Sequence, residues 1–408
     1  MQTRLADFIR DTPEGREAEA ILRKCVHCGF CTATCPTYQL LGDELDGPRG
    51  RIYLIKQALE GAPVTPKTRL HLDRCLTCRA CETTCPSGVQ YWRLADIGRQ
   101  VVEARAPRAA WEAAKRAALS FALPRRALFG AALALGRAVR PLLPGRLRAA
   151  VPPSRSPGGD WPAPRHARRM LALAGCVQPS IAPSINHAAA RVLDRVGISL
   201  LEAPGAGCCG AVRFHLNEQE AGRAQMRALI DAWWPLVEAG GVEAIVMTAS
   251  GCGVTVRDYG HLLAHDPDYR DKAARLSAMT RDLCEVIDPA ALPSNAGPGA
   301  RVAFHSPCSL QHGQKLRGRV ERLLERCGYA LTPVAEAHLC CGSAGTYSVL
   351  QPALSGALRT RKLEALERGE PALIATANIG CLAHLQSGTA TDVRHWVELV
   401  DEATQAPA

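Results

Sequence analysis

The feature that most constrains this chain is a pair of cysteine runs with identical spacing. The first is Cys25-x-x-Cys28-x-x-Cys31-x-x-x-Cys35-Pro36, and the second is Cys75-x-x-Cys78-x-x-Cys81-x-x-x-Cys85-Pro86. A turn with a cysteine at every third residue wraps three thiolates around one face of a cubane, and the fourth, after three intervening residues, starts a helix pointing elsewhere. Two quartets therefore predict two 4Fe-4S clusters. The small neighbours Gly29, Ala33 and Ala80 leave room for backbone N–H groups to approach the cluster sulfurs. Cys-x-x-Cys pairs also build zinc ribbons, but a ribbon has no need of the third cysteine at the next step or of the closing Cys-Pro in both copies.

In spacing and closing proline the quartets resemble those of bacterial two-cluster ferredoxins, where the fourth cysteine of each run ligates the other cluster. The resemblance implies Cys25, Cys28, Cys31 and Cys85 on one cluster, and Cys75, Cys78, Cys81 and Cys35 on the other. Such clusters move electrons one at a time, so two-electron chemistry needs a further centre.

The chain has 18 cysteines in 408 residues, and the N-terminus bears on whether they are disulfides or metal ligands. Residues Met1 to Arg23 are charged and amphipathic, with no apolar h-region and no small-residue cleavage site. The chain is accordingly read as cytoplasmic, where thiols stay reduced and clustered cysteines more often hold metal. The longest apolar candidate, Ala127 to Gly136, is about half the roughly 20 residues a bilayer span needs. The net charge of +10 is local: between Val102 and Met170 stand 14 Arg and Lys against three acids, Glu103, Glu112 and Asp160. That proline-broken segment is expected to be a solvated linker or a docking surface for a partner or the inner face of an anionic membrane. It lacks the aromatic interleaving of a nucleic-acid interface.

Beyond the basic segment the chain repeats itself. Arg191-Val-Leu-Asp-Arg-Val-Gly197 answers Arg322-Leu-Leu-Glu-Arg-Cys-Gly328. Cys176 precedes Cys208-Cys209-Gly210 by 32 positions, and Cys308 precedes Cys340-Cys341-Gly342 by the same 32; Cys252 and Cys381 follow in turn. Apolar runs at Met170–Ala174, Ala244–Thr248, Val302–Phe304 and Leu373–Thr376 read as buried strands, with helical patterns at His187–Val196 and Val320–Cys327 between them. The expected architecture is multidomain α+β and α/β: a mainly helical two-cluster domain (1–100), the basic segment (101–168), and two repeated α/β units (169–290 and 300–404) with cysteines in loops at strand ends. Cys284 and Cys327 align with valines and are expected to be structural thiols.

The eight recurring cysteines, Cys176, Cys208, Cys209, Cys252, Cys308, Cys340, Cys341 and Cys381, resemble those of the Cys-Cys-Gly domain family, found in heterodisulfide reductase subunits and in iron-sulfur subunits of flavin dehydrogenases. That family's pattern ends in Cys-x-x-Cys and can hold a non-cubane cluster; here Thr255 and His384 stand where the last cysteine belongs. A further cluster, a thiol or quinone-type redox site, and a structural remnant all stay open. In the first case His384 is the candidate replacement ligand. His305, His312 and His338 lie near the second repeat's cysteines in sequence and are candidates for proton handling. Gly205-Ala-Gly207-Cys-Cys-Gly210 fits a dinucleotide fingerprint in form, but the second repeat keeps its cysteines and loses the first two glycines. No flavin is expected in this chain.

In their order, the two quartets, basic segment and two Cys-Cys-Gly repeats resemble the iron-sulfur subunits of bacterial glycolate oxidase. The match is carried by Cys25-Val-His-Cys-Gly-Phe-Cys31, Gly88-Val-Gln-Tyr91, Gly175-Cys-Val-Gln-Pro179, Asp231-Ala-Trp-Trp-Pro235, Ala249-Ser-Gly-Cys-Gly253, Cys340-Cys-Gly-Ser-Ala-Gly-Thr-Tyr347 and Thr376-Ala-Asn-Ile-Gly-Cys381. It implies a hetero-oligomer in which FAD-containing subunits oxidise glycolate to glyoxylate and this chain passes electrons to a quinone or other acceptor, with no catalytic residue of its own. Rival readings are the iron-sulfur subunit of a lactate or anaerobic glycerol-3-phosphate dehydrogenase, a heterodisulfide-reductase-like thiol redox protein, and a zinc-binding structural protein.

Overall fold

The computed structural model describes all residues except 146, 147, 149, 150, 295, 296 and 406–408. Part of the basic segment, Arg146 and Leu147 included, thus lies outside the described residues. The chain divides into two compact units, Met1–Ala118 with His338–Leu358, and Leu119–Ala337 with Arg359–Ala408.

The first unit is helical. Thr12 accepts a hydrogen bond from the Gly15 amide and Pro13 fills the first turn, so α1 (Pro13–Lys24) starts capped, with Arg23 and Lys24 at its negative end. It buries Ala18, Ile21 and Leu22 and ends on Cys25. Cys35 is the N-cap of α2 (Pro36–Leu41), as expected of a quartet's last cysteine. The second quartet differs: after Cys85 the chain turns through Gly88, whose φ of +63° suits glycine, and the next helix starts only at Tyr91. Between the quartets lie α3 (Pro48–Leu59) and α4 (Pro66–Asp73), the latter opened by a Thr65–Thr68 capping box. Then come α5 (Ala80–Thr84), bearing Cys81, and α6 (Tyr91–Arg105). Helices α3 and α6 meet at Gly98, where an added Cβ would lie 2.5 Å from Ile55. Their apolar faces, with Leu22, Leu72 and Leu94, form a core that includes Cys25 and Cys81. The segment His338–Leu358 belongs to this unit: Tyr347 Oη donates to Arg74 O at 3.1 Å, and Lys115 Nζ to Val349 O at 2.7 Å.

The second unit contains α7 (Arg126–Val139) and two four-stranded parallel sheets. β1 (Arg168–Ala172), β2 (Ile198–Glu202), β3 (Ala244–Met247) and β4 (Thr280–Asp282) lie in the order β2-β1-β3-β4. β5 (Arg301–His305), β6 (Ala330–Leu331), β7 (Leu373–Thr376) and β8 (Asp392–His395) lie in the matching order β6-β5-β7-β8. Parallel neighbours need crossovers, which helices such as α8 (Ser184–Arg195) and α9 (Gln219–Glu238) supply. The four expected central strands are present within two residues of their predicted ends. Of the outer strands, β4, β6 and β8 went unanticipated because they are two to four residues long and carry no apolar run.

The two sheets are locked together within this unit. Arg191 and Arg195 of α8 pair with Asp401 of the C-terminal helix (Trp396–Gln405) at 2.6 and 2.8 Å. His395 Nε2 hydrogen-bonds Thr248 O at 2.8 Å, and the Ser250 amide donates to Ala377 O at 3.2 Å. Among the described residues no single helix is long and apolar enough to cross a membrane.

Candidate iron-sulfur and thiol centres

The two quartet loops share one backbone recipe. His27 and Gly29 in the first, and Thr77 and Arg79 at the corresponding places in the second, all have positive φ. Left-handed residues at alternate positions turn amide N–H groups toward one concave side, and the Thr77 amide donates to Cys75 Sγ at 3.4 Å. Thr34 and Thr84, each just before a closing cysteine, are joined by a 3.2 Å hydrogen bond that holds the loops side by side.

Two cavities result, each lined by thiols of both quartets. One is lined by Cys25, Cys28, Cys31, Cys81 and Cys85. The other is lined by Cys35, Cys75, Cys78 and Cys81. Three thiols of one run thus share a cavity with the last thiol of the other, the donor set a cubane needs.

Their electrostatics differ. Burial pushes the Cys31 thiol up to about 11 and the Cys81 thiol well above its ordinary range, so charge on these sulfurs needs a bound cation. Burial also opposes ionisation of Cys75, but Arg51 and Arg99 outweigh it and lower its pKa. Arg51 is 1% exposed; it donates to Thr37 Oγ1 at 3.1 Å and His71 O at 2.7 Å, and pairs with the fully buried Asp46. Arg99 donates to Cys75 O at 2.7 Å and Leu72 O at 3.1 Å. Sequence reading missed both arginines. The one available signal was an arginine sharing the buried face of α3 with Ile52 and Ile55.

In the first repeat the four cysteines come together as a line. Cys176 is hydrogen-bonded to Cys208, Cys208 to Cys209, and Cys209 to Cys252. They follow the carboxyl ends of β1, β2 and β3, where the strand order reverses and open parallel sheets place their ligands. The hydrogen bond to Cys208, together with burial, raises the Cys176 thiol. Cys208 is pushed up to about 12: the bond from Cys176 lowers it, and the bond to Cys209 and burial outweigh that. Cys176, Cys208 and Cys209 therefore rest as thiols. Gly210 explains the motif's glycine, for its φ is +83° and a Cβ there would lie 2.6 Å from Gly222 O. Gly342 repeats this, with φ of +91° and Ser355 O at 2.6 Å. Thr255 Oγ1 is turned back on Gly251 O at 3.1 Å.

In the second repeat Cys308 precedes a π-helical turn, Ser309–Gly313. Cys340 and Cys341 lie on the segment belonging to the first unit, where the Gly342 amide donates to Cys340 Sγ at 3.4 Å. Cys381 lies on α10 (Ile379–Gln386), whose N-cap Asn378 donates from Nδ2 to Cys381 Sγ at 3.6 Å. His384 is half-buried, whereas His305 is 1% exposed with both ring nitrogens unpartnered. Each buried, unsatisfied polar atom costs about 1–3 kcal/mol. Cys284 and Cys327 are buried, as expected of core thiols.

Comparison with known proteins finds family matches over the same cysteines. The 4Fe-4S dicluster domain family matches residues 21–89, and the cysteine-rich domain family matches 170–257 and 302–386. The glycolate oxidase iron-sulfur subunit of Escherichia coli (strain K12) is 55% identical, over 99% of this chain and 100% of its own length. The chain belongs to the glycolate oxidase iron-sulfur subunit family. The probable glycolate oxidase iron-sulfur subunit of Bacillus subtilis (strain 168) is 30% identical over 91% of this chain and 90% of its own. Lactate utilization protein A of Geobacillus thermodenitrificans (strain NG80-2) is 28% identical over 50% of this chain and 83% of its own. As a member of the glycolate oxidase iron-sulfur subunit family, the chain is an iron-sulfur subunit of an oxidoreductase and has the order of domains read from its cysteines.

Proposed function

We propose that this chain carries electrons within a complex whose FAD-containing subunits oxidise glycolate to glyoxylate, releasing two electrons and two protons, toward a quinone or other acceptor. The observation that carries the reading is the pair of cavities lined by crossed thiols, in a chain 55% identical along its length to a glycolate oxidase iron-sulfur subunit. Cys25, Cys28, Cys31 and Cys85 are assigned to one cluster, and Cys75, Cys78, Cys81 and Cys35 to the other; bound there, the clusters supply one-electron transfer. Arg51 and Arg99 favour negative charge on the Cys35/Cys75 side, which makes that centre the better electron acceptor of the two. Buried Ile52 and Val89 beside the first cavity, and Tyr91 beside both, restrict water.

The basic segment suits a contact with an anionic membrane surface close to a quinone pool. Helix α7 exposes Leu128, Leu135 and Val139 along one face, continued by Leu142, with Arg125, Arg126, Arg137 and Arg140 around them.

The test is anaerobic mixing of the chain with its flavoprotein partners and glycolate, followed by EPR. The expected result is a reduced-cluster signal that neither component gives alone, absent with lactate or glycerol 3-phosphate. A signal with lactate in place of glycolate moves the assignment to the lactate utilization relatives. Clusters that dithionite reduces but none of these substrates does would leave the dicluster domain standing and remove the dehydrogenase role.

A further inference from the structure

The two Cys-Cys-Gly repeats have one topology but different interiors at the carboxyl ends of their first and third strands. Aligned on Cys176 and Cys308, Leu173 of the first repeat corresponds to His305 of the second, and Ala174 to Ser306; aligned on Cys252 and Cys381, Met247 corresponds to Thr376. Leu173, Ala174 and Met247 are buried apolar residues. In the second repeat His305 Nδ1 and Nε2, Ser306 Oγ and Thr376 Oγ1 are all buried and all without a hydrogen-bond partner. His305 and Thr376 are directly paired across β5 and β7, so unsatisfied polar side chains stand side by side where the sister repeat has packed hydrocarbon.

Buried polar groups left this way are unfavourable unless something satisfies them. What could satisfy His305 is narrowed by Cys381, whose sulfur lies within 4.8 Å of a His305 ring nitrogen. Imidazole and thiolate at that separation are the donor pair of a borderline-soft transition metal. Cys308 follows His305 after two residues, a ligand interval common in such sites. We propose that the second repeat holds a zinc- or iron-containing centre ligated by His305 and Cys381, separate from the two cubanes, while the first repeat keeps a thiol line. The ligand that makes up for the missing last cysteine is then the histidine at the end of β5, and His384 is not required. The proposal is independent of the substrate of the complex.

The experiment is metal analysis of the full chain purified anaerobically, with three variants. The wild type is expected to carry one centre's worth of zinc or iron beyond the about eight irons of two cubanes. His305→Leu, which installs the first repeat's residue, should lose that excess and keep the cubane irons and their EPR signal. Cys381→Ala should do the same, and His305→Cys, which replaces one ligand by another, should retain it. A wild type with no metal beyond the cubane irons, or a folded His305→Leu protein with the excess unchanged, overturns the proposal. Loss of excess metal together with the cubane signal in every variant also counts against it, because the centre would then not be separate.

Discussion

Arg51 shows how one residue sets the character of a centre. A guanidinium removed from water persists only when paired and hydrogen-bonded. Here Asp46, Thr37 and the His71 carbonyl meet those needs, while the remaining positive field falls on the thiols of Cys35 and Cys75. Arg51→Met removes the charge and leaves Asp46 buried with fewer partners. Loss of one member of a buried pair costs about 3–5 kcal/mol, so the denaturant midpoint should fall by that equivalent. In a redox titration the higher-potential EPR component should move down or disappear, with the other component unchanged. An unaltered potential would show that the arginine only holds Asp46 in place.

Among the elements, the quartet loops and α7 contrast in how sequence becomes structure. The loops owe their form to short-range rules: positive φ at His27, Gly29, Thr77 and Arg79, a capped helix before Cys25 and a proline after Cys35. Helix α7 has the amphipathic spacing of a packed helix, yet Leu135 is 67% exposed and Leu142 just beyond it 86%. An apolar stripe bordered by arginines binds anionic interfaces through both buried area and charge. Leu135→Glu should abolish co-sedimentation with vesicles containing anionic lipid and leave the metal content unchanged. Raised salt should weaken wild-type binding. Binding that survives the substitution would assign the contact to charge alone.

Across the whole molecule the repeats act as a pair, and His395 reports on their union. Burial lowers its pKa to about 4 from an ordinary value of 6.5, and its Nε2 bonds the Thr248 carbonyl of the other sheet. The unfolded chain takes up a proton in that window while the folded chain does not. Stability is therefore lost as pH falls from about 6.5 toward 4, by up to about 1.4 kcal/mol per pH unit. Asp282, raised to about 6 by burial, works with the opposite sign, contributing stability that is lost as pH rises from about 4 to 6. The comparison of wild type with His395→Gln in urea at pH 7 and pH 5 isolates the histidine. The variant should lose less stability on acidification; equal losses would assign the acid sensitivity to other groups.

The sequence alone determined the presence of an iron-sulfur dicluster domain, the doubled α/β architecture and the family, because each is written in local spacing: a thiol every third residue, apolar runs of strand length, a cysteine pair 32 residues after a lone cysteine in each repeat. The central strands were legible for the same reason, and the short polar edge strands were not. Only the tertiary structure decided what surrounds the thiols. Arg51 and Arg99 reach Cys75 from helices distant in sequence, the four cysteines of the first repeat meet from three strand ends, and His305 is left unpartnered beside Thr376 by strand register. Such environments arise from long-range packing, which places residues by the shape and burial of their neighbours and leaves no periodic mark in the chain.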